Sequence, residues 1–177
     1  MVDDDVTDVR RTYLPGGAKR PARLTVDEIA DAIQATAETA AGFGAYLFGW
    51  STCSDPLNYT PQQPFRLTGY VNGCAMGIRR GSKLFFHGDA LTVEDYWISL
   101  INAYRHRHVF VDLRFAVTAG FVSAGGMAET RTAEATENGY ALLKANFGAA
   151  VGRKKPGNSW GQKPRPAVAG PVMHLPF

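Results

Sequence analysis

Two histidines in "RHRHV", His106 and His108, stand two residues apart. On a strand that separation puts both side chains on one face. Neutral imidazoles so placed can share a divalent metal. Downstream, Tyr140 and Lys144 are four residues apart, about one helical turn. A tyrosine can act as a covalent nucleophile, so these residues could open a phosphodiester beside a metal. The competing reading of "RHRHV" is a basic corner after an amphipathic helix, facing solvent or lipid headgroups, and it is the preferred one. No Ser/His/Asp arrangement, phosphate loop or dinucleotide motif appears elsewhere. The expectation is therefore no catalytic, cofactor-binding or metal-ligating residue.

The chain has 177 residues and a formal net charge of +3, which fits one domain and is too little charge to imply nucleic acid. Two cysteines, Cys53 and Cys74, lack metal-site spacing. They flank a Pro-rich connection and could pair across it, or serve as small buried apolar residues. The acidic start "MVDDDVTDVRR" has neither a secretory nor a transit-peptide pattern.

"TVDE" gives Thr25 and Glu28 the spacing of a capping box. A helix from there toward Cys53 would run about 28 residues, roughly 40 Å, enough to cross a bilayer core. A second helix is expected from Pro64 to about "FFHGD". Thr92 is the expected N-cap of a third, with Tyr96, Trp97, Leu100, Ile101 and Tyr104 on one interfacial face. "VFVDLRFAVTAGFVSAGGMA" is a further apolar stretch whose β-branched start also suits a strand. Asp112 and Arg114 within it cannot share a helix face and would need partners. The expected division is an extended arm (1–24), a helical membrane domain (25–130), an amphipathic helix (131–150) and a basic Pro-rich tail (151–177). In that tail "GRKKPG" (152–157) could touch phosphate groups or anionic lipid, or stay solvated.

"TGYVNGCAMGIRRGSK" places Gly69, Gly73, Gly77 and Gly81 at every fourth position. Each glycine costs about 1 kcal/mol in a helix interior. Ala37, Ala41, Ala45 and Gly49 form a second such line, and Ala116, Gly120, Ala124 and Ala128 a third. Ridges of small residues let helices approach closely in lipid, where burying large side chains brings no reward. The expected fold is all-α: a small membrane helical bundle of about three spans with small-xxx-small packing. An interfacial amphipathic helix and extended terminal arms complete it.

"AYLFGWSTC" (45–53), "DPLNY" (55–59) and "NGCAMGIRRGSK" (72–83) follow one another in that order. Together they resemble the Gly-rich accessory subunit of the membrane arm of mitochondrial respiratory complex I. That subunit's superfamily includes the channel subunits of inner-membrane protein translocases. The resemblance implies a non-catalytic subunit in the mitochondrial inner membrane that supports assembly of the respiratory enzyme. It also implies other membrane subunits and phospholipid, cardiolipin included, as partners, and no nucleic acid. A translocase component is the alternative within the superfamily. A third reading is a soluble metal-dependent enzyme using His106, His108 and Tyr140. It is similar to DNA-nicking rolling-circle initiators, though Arg107 stands where those carry a bulky apolar residue.

Overall fold

Helix α1 (Val26–Gly42) starts at Thr25, whose hydroxyl accepts the Glu28 N–H while the Glu28 carboxylate accepts the Thr25 N–H. The computed structural model describes residues 6–13, 22–53, 59–119, 132–153 and 170–175. The helix stops well short of Cys53, and Gly44 is the reason. Gly44 holds φ at +73°; its N–H and that of Ala45 turn back to the carbonyls of Ala41 and Ala40. This is a Schellman closure, which needs a residue tolerant of left-handed φ. It cuts the Ala37–Ala41–Ala45–Gly49 line in two: Ala41 is left exposed on α1, and Ala45 is buried beyond its end.

Aromatic residues favour a strand past that closure, and β2 (Leu47–Ser51) follows. The sheet runs β1 (Val6–Arg11), β5 (Phe110–Ala119), β2, β4 (Met76–Ile78), with β3 (Phe65–Arg66) also paired to β5. Strands β2 and β5 are parallel, and the other pairings are antiparallel. A parallel pair needs a long crossover, which here carries α2 (Glu94–His106). Helix α3 (Ala133–Phe147) contacts α2, and β6 (Val151–Arg153) pairs with β7 (Pro171–Met173).

One face of the sheet packs on α1, where Ala32 meets Val9, Trp50 and Val117, and Ala40 meets Phe110. On the other face Trp97, Ile98 and Leu143 meet Leu47 and Val111. The expected all-α membrane bundle is thus corrected to a mixed α/β fold with helices on both faces of a sheet. Among the described residues no helix is long and apolar enough to cross a membrane. Helix α2 is no interfacial element either, since every residue from 97 to 103 is buried. Its N-cap is Val93 rather than Thr92, whose hydroxyl donates to the Ala135 carbonyl.

The helix-packing role expected for Gly69, Gly73, Gly77, Gly81, Ala41, Ala45 and Gly49 is overturned with the bundle. Gly69 and Gly81 hold φ of +92° and +85° at bends in the connections. Gly73 lies against Glu94 and Asp95. Gly77 is in β4 opposite Phe48, and a Cβ there would stand 2.1 Å from the Phe48 ring. Four unrelated demands share one spacing. Gly120 and Ala124 lie outside the described residues. Cys53 is exposed and Cys74 buried, and both remain thiols.

Asp112 and Arg114 meet because β5 is a strand, in which residues two apart share a side. Arg114 Nε and Nη2 donate to the Asp112 carboxylate at 3.0 and 2.7 Å. Asp112 is fully buried beneath α1, with the Thr36 hydroxyl 3.5 Å away. Here β5 bulges: Trp50 pairs with Asp112, but Ser51 pairs with Ala116. The extra residues shift the side chains facing α1 from Phe110 and Asp112 to Phe115 and Val117.

Candidate functional site

The last residue of α2, His106, places Nε2 2.7 Å from the Ser82 carbonyl oxygen and rests its ring 4.2 Å from that of Tyr46. This contact ties the end of α2 to the turn after β4. Arg79, Arg80 and Lys83 thereby join Arg105 and Arg107 at one corner. Among the described residues, none of these five cations forms a salt bridge to a carboxylate. Arg79 lies over the Tyr46 ring, 5.2 Å from its centroid, and donates to the Ala45 carbonyl. The other four are exposed. The negative C-terminal end of α2 favours Arg105 by about 0.3–1 kcal/mol. It gives no reason for the three cations of the turn.

Backbone strain falls at the same corner. Lys83 and Arg107, at φ +56° and +71°, are the positive-φ non-glycine residues among those described. Arg107 has ψ −36°, and the His108 N–H closes onto the His106 carbonyl at 2.9 Å. A three-residue turn of this hand is rare and strained. Such conformations cost on the order of 1–3 kcal/mol and persist where the surroundings enforce them, often at functional sites. Both belong to the same cationic cluster.

Arg105 also lines a groove of about 420 Å³ walled by Phe85, His87, Trp97, Tyr104 and Phe147, with Asn146 as a further polar member. Trp97 organises the wall. Its ring stands 4.5 Å from His87 and edge-on to Phe85 and Phe147, and its indole N–H donates to the Phe85 carbonyl. Tyr104 is 79% exposed, Phe85 50% and Phe86 51%. Exposed rings gathered beside unpaired cations mark an interaction surface.

The other residues singled out in the sequence are spent elsewhere. His108 Nε2 faces the Phe43 carbonyl at 3.1 Å, so the two imidazoles serve different backbone oxygens. Tyr140 lies under the Arg153 guanidinium, 3.9 Å from ring centroid to carbon, and Lys144 donates to the Val151 carbonyl. Among the described residues no three His, Cys, Asp or Glu side chains cluster to hold a metal. Gly49 and Gly77 line an apolar cleft of about 230 Å³ between α1 and β4.

A further titratable cluster lies at the start of α2. Burial raises the Asp95 carboxyl above the usual carboxylate range, opposed by hydrogen bonds from the Tyr96 and Gly73 N–H groups. Burial, and then the nearby Asp95 charge, raises the phenols of Tyr70 and Tyr96, whose rings stack at 4.8 Å.

Of the corner, the basic run "RHRHV" with His106 was legible in the residues alone. The groove went unread, although "FFH" and "AYR" carry its exposed rings. Compared with known protein families, curated proteins and solved structures, the chain matches none of them, so the likeness seen at 45–53, 55–59 and 72–83 rests on those short runs alone.

Proposed function

We propose that the protein binds single-stranded nucleic acid at this corner, without cutting it. Arg79, Arg80, Lys83, Arg105 and Arg107 face the phosphates, and the rings of the groove stack on bases. The observation that carries this reading is the adjacency of five cations that lack a carboxylate partner among the described residues and a ring-walled groove, joined through Arg105. Proteins that hold single strands with little sequence preference combine these two features, each stacked base contributing about 1–3 kcal/mol.

The reading replaces the phospholipid partner expected from the sequence. Binding on a lipid surface calls for apolar side chains that insert into the acyl boundary. A recessed groove with aromatic walls instead accommodates a flat base. Fluorescence anisotropy with a labelled single-stranded oligonucleotide tests the choice. Arg105→Ala with Tyr104→Ala should weaken binding at least tenfold, because a phosphate contact and a stacking ring are removed together. Equal binding by wild type and this double variant, or binding only to phosphatidylserine vesicles, would exclude the reading.

A further inference from the structure

Strands β1 and β3 lie along the same edge of β5, and the bulge falls between them. The Thr12 N–H donates to the Arg114 carbonyl at 2.9 Å, and the Leu113 N–H to the Pro64 carbonyl at 2.8 Å. Tyr13 therefore sits beside Arg114. Tyr59 reaches the same place, its ring 6.3 Å from that of Tyr13.

Three donors collect at this gap. Arg114 commits Nε and Nη2 to Asp112, which leaves Nη1 outside the fork on a side chain that is 41% exposed. The Tyr13 hydroxyl accepts from Arg11 Nη1 at 2.8 Å, so its own O–H remains to donate. Tyr59 brings the third donor, its hydroxyl, since it, like Tyr13, lies close enough to Arg114 to act on it electrostatically. Burying the carboxylate of an ion pair is a poor way to stabilise a sheet, since apolar residues of similar volume often serve as well or better. What Asp112 does secure is one orientation of one guanidinium, held from below by a carboxylate that solvent does not reach.

We propose that the gap between β1 and β3 is a carboxylate-binding site, in which Arg114 Nη1 and the hydroxyls of Tyr13 and Tyr59 donate to a monoanion. Charge balance selects the class. Arg114 is matched by Asp112 and Arg11 by Glu28, so the site offers directed donors but no surplus charge for a dianionic phosphate. Phe115 adds an apolar surface, 5.6 Å from the Trp50 ring and 5.7 Å from the Arg114 guanidinium. The ligand is accordingly a carboxylate with an apolar body. The proposal is independent of the nucleic-acid corner.

Thermal unfolding of the full chain in benzoate tests it, with benzyl alcohol and inorganic phosphate as comparison probes. Benzoate should raise the midpoint, and above its dissociation constant the rise should continue with the logarithm of concentration, as for any ligand of the native state; benzyl alcohol should not raise it. Tyr13→Phe and Tyr59→Phe keep the rings and remove one donor each. Each should weaken benzoate about tenfold, because hydrogen bonds to a charged group are among the stronger ones. Arg105→Ala should bind benzoate like wild type. In wild type the Arg114 Nε–H resonance should move on titration, a readout that does not depend on how the variants fold. The proposal is overturned if benzoate leaves the midpoint unmoved, or if benzyl alcohol or phosphate matches benzoate. An unmoved Arg114 resonance at saturation, or wild-type affinity in the double tyrosine variant, overturns it equally.

Discussion

The His106 imidazole contacts the Ser82 carbonyl oxygen at 2.7 Å and so holds two basic segments together that are more than twenty residues apart in sequence. Without it the turn bearing Arg79, Arg80 and Lys83 has one fewer tie to α2. His106→Ala should lower affinity for single strands several-fold while costing about 1 kcal/mol of stability, the ordinary net value of one hydrogen bond. Anisotropy and urea unfolding on the same preparations check both. Unchanged affinity would show that the two segments need no tie to act together.

Arg107 separates stability from function. Its φ of +71° is strained for a residue with a side chain and comfortable for glycine. Arg107→Gly should raise stability by about 1 kcal/mol and weaken nucleic-acid binding. A variant that is both more stable and equally tight would mean that the strain has nothing to do with the proposed function.

The ion pair in β5 should respond unevenly to its two ends. Arg114→Met strands a carboxylate that is 0% exposed, and loss of about 3–5 kcal/mol is expected. Asp112→Asn leaves Arg114 partly in solvent and should cost less. Denaturant midpoints with unchanged slopes measure the difference. Equal costs would contradict the burial that distinguishes the two side chains.

Burial holds the Asp95 carboxyl above its ordinary range. The native state then keeps a proton that the unfolded chain has released. The stability this group contributes is complete below its unfolded value, near pH 4. It is lost as pH rises through the raised native value. Asp95→Asn should flatten stability against pH over that weakly acidic window. A wild-type chain and variant with superimposable pH profiles would refute it.

How much of this could be read in the residues depends on the element. The start of α1 was legible because Thr25 and Glu28 satisfy each other locally. Gly148, at φ +54° just past the end of α3, is a local signal of the same kind. The stop of α1 was written in Gly44, but an alanine pattern running through it suggested a longer helix. Strand β5 was legible only at its β-branched start: an apolar stretch broken by just Asp112 and Arg114 leaves a doubly covered strand hard to separate from a buried helix by periodicity. Gly69, Gly73, Gly77 and Gly81 misled for another reason: each answers to a tertiary neighbour or a bend, none to the others. The cations were visible, but their meeting depends on the His106–Ser82 contact, which no local pattern announces.

The most direct test of the central claim is the salt dependence of single-strand binding. For single strands the slope of log affinity against log salt is about −0.7 per phosphate neutralised. The five cations Arg79, Arg80, Lys83, Arg105 and Arg107 predict a slope of about −3.5 for wild type. It should become shallower by about 0.7 for each cation replaced by alanine. No measurable binding at low salt, or a slope that ignores these replacements, would contradict the account.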